Sequence, residues 1–324
     1  MKKLSIIFCI PVIIFTISCS QRNNFKTDTP TSGIIEIAVD ECLAPIIDEQ
    51  IAVFEALNPD ATIIPIYTNE LEAYDLFVKD SMRVIIGTRE LTLNETKTIK
   101  DRKQRVWSQK LAVDGIALIV NKTNPDTLIS TSTLKKIITG EITNWDQIYP
   151  NSKLGKIAIV FDSPNSSTVR YIKEEVTKNT PIGENVRATS KDTATVDIKE
   201  RTPNQKVIDY VSGTPNALGL IGVNWISNPS DTTSLSFINR IKVMSVSKEE
   251  VATLDNSYKP FPYQFALGQY PLQRDVYIVI SDVRGGLASG FVNFSAGEKG
   301  QRIVLKAGLL PATQVTRLVR IKRE

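Results

Sequence analysis

Gly33-Ile34-Ile35-Glu36-Ile37-Ala38-Val39-Asp40, with the segments that follow it to Ile86, sets the reading of the fold. Ile34 to Val39 reads as a strand. Pro45 then stands where a first helical turn tolerates it, and Ile47, Ile51 and Phe54 fall on one helical face. Asn58-Pro59-Asp60 stops that helix. Ile63 to Tyr67 is a second strand, Leu71, Tyr74 and Val78 mark a second helix, and Val84 to Ile86 a third strand. Short apolar runs alternating with amphipathic stretches indicate βα units and a mainly parallel sheet, an α/β fold.

The theme continues downstream. Gly115 to Val120 is an apolar run behind a basic polar segment. Ser132 is placed to cap a helix carrying Leu134, Ile137 and Ile138, which Gly140 closes. Ile157 to Phe161 reads as a strand, Thr202-Pro203 opens a helix ending at Gly213, and Ala217 to Ile221 is a short strand. Strand character returns at Val276 to Ile280. Two glycine-punctuated helices follow, one with Leu287, Phe291 and Phe294, the other with Ile303, Val304 and Leu305. No fixed-period repeat is present, which argues against solenoids and propellers.

The chain has 324 residues, 42% of them hydrophobic and 23% charged, a globular composition long enough for two domains. Its formal net charge is +4, to which Arg317, Arg320, Lys322 and Arg323 contribute. No Lys/Arg run in the body is interleaved with aromatics, so a nucleic-acid partner is not expected. There is no histidine. That removes Ser–His and Cys–His nucleophilic machinery, zincin motifs and His-based metal sites. Asp40, Glu41 and Asp162 remain as acid–base groups, with nothing to pair them with a nucleophile or metal. The expectation is a protein that is not an enzyme and has no cofactor or metal.

The first nineteen residues read as an address. Lys2 and Lys3 form a basic n-region, and Leu4 to Ile17 is an apolar stretch too short for a comfortable membrane span. It ends at Ser18–Cys19, a small residue before cysteine, as bacterial lipoprotein signals do. By that resemblance residues 1–19 are a lipoprotein signal and Cys19 is the lipid anchor to the membrane. An ordinary cleaved signal peptide is the alternative. Residues 20–32 are polar and read as a flexible tether. Cys42 is then the one remaining cysteine besides the anchor, so no internal disulfide is expected.

Four segments resemble the phosphate-binding subunit of bacterial phosphate ABC transporters. Ile138-Thr139-Gly140-Glu141-Ile142-Thr143-Asn144-Trp145 resembles the family's "GxITNW" helix end. Gly115-Ile116-Ala117-Leu118-Ile119-Val120-Asn121 is similar to the strand that crosses into the second lobe. Asn216-Ala217-Leu218-Gly219-Leu220-Ile221-Gly222 is like the "GAIGY" turn, and Gly300 to Pro311 is similar to the terminal helix. The resemblance implies the two-lobe type II periplasmic binding protein fold. Lobe one would comprise residues 33–112 plus 266–324 and lobe two residues 113–265, with crossings near Val113 and Ala266. Ligand would sit between the lobes at the carboxyl ends of strands. Asn144-Trp145 and Gly219 read as scaffold.

The same resemblance assigns a candidate site. Asn165-Ser166-Ser167-Thr168 lies between a strand and a helix with Val169, Ile172 and Val176, where the family has its "GSGT" phosphate loop. Free backbone N–H groups and hydroxyls favour an anion there; a serine that simply caps the helix is the alternative. In Ile86-Gly87-Thr88-Arg89 an arginine stands where the family has an aspartate. Asp162 stands just before Ser163, where the family has an arginine. Two readings stay open: Arg89 grasps an oxyanion while Asp162 orients it, or the two form an empty interlobe salt bridge. Asp40-Glu41-Cys42 and Tyr67-Thr68-Asn69-Glu70 occupy the family's other two loops, and the acids of the first serve either the ligand or the following helix. The candidate contacts are Arg89, Thr88, Asn165, Ser166, Ser167, Thr168, Asp162, Glu41 and Thr68. The expected function is an exported lipoprotein of the bacterial cell envelope, facing the periplasm, that captures phosphate or a similar small oxyanion for an ABC permease. An envelope interaction module that keeps the fold and has lost ligand binding is the alternative.

Overall fold

The structure is a computed structural model that describes residues 28–189, 202–227, 236–281 and 285–313. The expectations for residues 1–27, Cys19 among them, and for Arg317, Arg320, Lys322 and Arg323 lie outside the described residues.

The first three strands are β1 (Gly33–Asp40), β2 (Ala61–Thr68) and β3 (Val84–Gly87), parallel and joined through helices α1 (Ala44–Leu57) and α2 (Glu70–Val78). Helix α3 (Leu93–Asp101) leads into β4 (Trp107–Asn121), a strand of 15 residues. Next come β5 (Leu128–Ser130), α4 (Thr131–Thr139), β6 (Ala158–Phe161), α5 (Ser167–Tyr171), which runs on as a π turn over Ile172–Val176, and β7 (Val186–Ala188). Helix α6 (Pro203–Gly213), β8 (Ala217–Gly222), β9 (Ile241–Val243), β10 (Ser245–Ser247), β11 (Ser257–Tyr258) and α7 (Pro262–Ala266) follow. The described chain closes with β12 (Gln273–Ile280), α8 (Leu287–Ala296), α9 (Glu298–Lys306) and β13 (Leu310–Pro311).

The main sheet runs β2-β1-β3-β12-β4-β8-β6-β7. Its hinge is β4. Residues Trp107 to Gly115 pair antiparallel with β12, and Ile116 to Val120 pair antiparallel with β8. One strand thus serves two lobes, each with its own core. Ile37, Ile46, Phe54, Ile86 and Phe291 centre the first, and Ile119, Leu134, Trp145, Phe161 and Leu220 the second. Ala266 ends α7, and its neighbours Phe265, Tyr270 and Leu272 pack into the second core. No helix among the described residues is long and apolar enough to cross a membrane.

Two details support the scaffold reading. Trp145 is fully buried and its indole N–H donates to the Asn216 carbonyl at 3.0 Å. A Cβ on Gly219 would stand 2.7 Å from Val211 Cγ2 and 2.9 Å from Ile119 Cγ1, so α6 packs on β8 only because that position carries no side chain. One capping expectation is corrected. The α4 cap is Ser130, whose hydroxyl accepts from Thr133 N at 3.0 Å, whereas Ser132 already lies within the helix.

Candidate functional site

The carboxyl ends of β1, β3 and β6 point into the space between the lobes, and each ends in polar residues where its apolar run stops. The β1 end passes into the turn Glu41–Leu43, which Asp40 caps by accepting from Cys42 N at 3.1 Å. This supports the local, charge-complementing role for Asp40. The turn is fastened to the other lobe: the Cys42 carbonyl accepts from Asn224 Nδ2 at 2.9 Å and Trp225 Nε1 at 3.0 Å, and Glu41 Oε2 accepts from Asn204 Nδ2 at 2.7 Å. The β6 end passes into the loop 162–166. Asp162 Oδ1 accepts from Ser163 N at 2.8 Å and from the Ser166 hydroxyl at 2.5 Å, and Ser166 accepts from Val169 N at 3.2 Å as the cap of α5.

These residues build an inner layer that is buried and acidic. Asp40, Glu41, Asp114 and Asp162 are all buried. The buried cation among them is Arg274 of β12, which donates to Asp114 Oδ2 at 3.1 and 3.0 Å, to the Ser167 hydroxyl at 2.9 Å and to Cys42 Sγ at 3.2 Å. Burial works against the Arg274 charge, but the neighbouring Asp114 and Asp40 carboxylates oppose it and hold the guanidinium protonated. Burial, then the facing Asp162, pushes the Glu41 carboxyl up to about 8. Burial, then Glu70, pushes Asp40 up to about 6. The Cys42 thiol is raised by burial, which keeps it from acting as a thiolate.

Outside this layer lies a cavity of about 260 Å³, walled by Glu70, Leu71 and Arg89 from lobe one and by Asn165, Ser166, Arg170, Lys173 and Glu174 from lobe two. Three cations face two carboxylates there, the reverse of the inner balance. An oxyanion is therefore favoured in the outer cavity over the acidic floor beneath it. Arg170 spans the gap. Its Nε and Nη2 donate to the two oxygens of Glu70 at 2.5 and 3.1 Å, Nη2 also to the Thr88 hydroxyl at 3.0 Å, and Nη1 to Glu174 at 2.8 Å. A larger cavity of about 570 Å³, between Ile226, Ile238, Phe261 and Leu305, is mainly aliphatic in its walls and does not touch these strand ends.

Of the residues expected from sequence, Arg89, Asn165 and Ser166 line the outer cavity. Thr88 is buried behind the wall and does not line it, donating to Glu70 Oε1 at 2.9 Å. Asp162, Ser167, Thr168 and Glu41 lie in the buried layer below, and Thr68 is buried beside Asp40 in register across β1 and β2. The empty salt bridge between Arg89 and Asp162 does not form. Arg89 donates twice to Glu95 at 2.8 Å and its guanidinium stacks 3.7 Å from the Tyr74 ring centre, while Asp162 is held by Ser163, Ser166 and Asn204. The ion pair that joins the lobes is Arg170–Glu70 instead. Sequence reasoning missed both Arg170 and Arg274. A lone charged residue at a buried phase of an apolar strand, as at Asp114 and Arg274, was the available signal. Among the described residues no group of three or more Cys, Asp or Glu could hold a metal ion.

The family model for the PBP superfamily domain matches residues 25–299. The chain is 24% identical over 301 residues to the phosphate-binding protein PstS of Borreliella burgdorferi, covering 92% of this chain and 97% of that one. It is 27% identical over 303 residues to the PstS of Bacillus subtilis, covering 91% and 86%. In three dimensions it is similar to a substrate-binding protein with bound phosphate from Clostridium perfringens, with a TM-score of 0.66 at 20% identity, covering 87% of this chain and all of that one. An ABC-type phosphate transport receptor from Vibrio cholerae gives 0.58 at 21% identity, covering 86% and 100%.

Proposed function

The chain belongs to the PBP superfamily domain family, and on that premise we propose that it is an extracytoplasmic solute-binding protein that captures phosphate between its lobes for uptake by an ABC transporter. The observation that carries this reading is the outer cavity. It is interlobe, small and cationic on balance, and it is walled in part by Asn165 and Ser166 of the segment 165–168 that resembles the family's phosphate loop. Arg170 and Arg89 supply planar forks suited to oxyanions, and Asn165 and Ser166 supply neutral polar groups. Opening of the lobes would admit the solute, and closure would bury it.

The protein acts as a carrier and not as an enzyme. In support of that reading, among the described residues Glu41 is tied to Asn204, Asp162 to Ser166 and Asp114 to Arg274, and the Cys42 thiol is buried and held neutral. Membrane attachment through lipidated Cys19 completes the reading and places the binding lobes on a tether beside a permease.

Calorimetric titration with phosphate and, separately, sulfate tests the function. The reading expects phosphate binding with a dissociation constant on the order of 1 μM or tighter. No heat with either anion would favour an envelope module without a solute.

A further inference from the structure

The Nε and Nη2 face of Arg170, the side of the guanidinium that reaches across the cleft, is filled by lobe one: Glu70 takes both nitrogens and Thr88 shares Nη2. The opposite side, Nη1, is bound by Glu174 one turn further along the same helix. These acceptors differ in what happens when the lobes part. Glu174 moves with Arg170, whereas Glu70 and Thr88 stay with the other lobe. Opening therefore frees one side of the fork, and both Arg170 and Glu70 line the cavity.

We propose that Glu70 competes with the solute oxyanion for the guanidinium of Arg170, and so sets the affinity of the cavity. The proposal rests on the reading of this cavity as the solute site. A carboxylate and a phosphate offer the same planar pair of acceptor oxygens to an arginine fork, so the two are interchangeable partners at one position. Glu70 is only 3% exposed and stands at the start of α2, where its negative charge complements the helix N-terminus. It is thus held at the fork at a high effective concentration. The other cavity arginine is less open to exchange. The Glu95 partner of Arg89 also accepts from Thr92 N at 2.7 Å in the capping box of α3, so releasing it would cost a helix end.

Phosphate affinity measured by calorimetry on wild type, Glu70→Gln and Glu70→Asp tests this. Gln keeps the shape and removes the charge; Asp keeps the charge and shortens the reach. Both variants should bind phosphate more tightly than wild type, with Glu70→Gln gaining about tenfold to a hundredfold, the range for one charge-assisted contact. Melting curves confirm that each variant is folded. Wild-type binding that is unchanged or weakened in both variants overturns the competition and leaves the carrier reading standing. Absence of phosphate and sulfate binding in all three proteins overturns the carrier reading and the competition together.

Discussion

Arg274 and Asp114 face each other in register on β12 and β4, the two antiparallel strands that carry the chain between the lobes. The guanidinium goes on from Asp114 to Ser167 in one lobe and Cys42 in the other, so a single buried cation ties the hinge to both sides of the cleft. Removing one partner of such a pair leaves an uncompensated buried charge. Arg274→Met should lower unfolding free energy by about 3–5 kcal/mol in urea titrations. Arg274→Met with Asp114→Leu should recover most of that loss, because the charge left behind by the single change is also gone. A double variant no better than the single would mean that the contacts to Ser167 and Cys42 dominate.

Glu41 gives the protein a pH dependence of defined sign. Its carboxyl is raised from 4.5 to about 8 by burial and by Asp162 on the facing lobe. Below pH 4.5 native and unfolded chains are both protonated there, and this group's favourable contribution is fully present. As pH rises towards 8 the unfolded chain releases the proton and the native chain keeps it, so stability is lost across that window, on the order of a few kcal/mol. Asp40 acts in the same direction but is spent by about pH 6. Melting temperature should therefore still fall between pH 6 and 8 in wild type and flatten in Glu41→Gln. Parallel profiles would assign the slope elsewhere.

Cys19→Ala should move the protein from the membrane fraction to the soluble extracytoplasmic fraction. If Cys19 carries the proposed lipid, that lipid is the anchor, because the apolar run before it is short for a membrane span. Fractionation identical to wild type would rule out the anchor.

The sequence was informative wherever one element's own side chains decide its state. In α1, Pro45 at the first turn and buried Ile47, Ile51 and Phe54 on one face mark both start and phase. Helix α3 escaped notice because Ile99 is its one buried residue, and the Thr92–Glu95 capping box is what defines its start. The first half of β4 was hidden for a related reason: Trp107 to Lys110 are exposed or half-buried and carry no apolar run. In the site, a short local motif placed Asn165 and Ser166 beside the cavity. Arg170 was illegible because its partner Glu70 lies 100 residues away and no local spacing encodes a contact across two lobes, whereas Arg274 showed as a charge in an apolar strand without revealing its partner Asp114, 160 residues away.

If phosphate occupies the outer interlobe cavity, a bulky side chain placed there must exclude it. Leu71 is 61% exposed and lines the cavity, so Leu71→Trp occupies solute space without removing any charged or hydrogen-bonding group. The measurement is phosphate affinity of Leu71→Trp against wild type by calorimetry, with melting temperature as the check on folding. Wild type should bind phosphate, and the variant should bind it at least about tenfold more weakly, equivalent to roughly 1.4 kcal/mol, with a melting temperature close to wild type. Equal affinities for the two proteins would place phosphate outside this cavity.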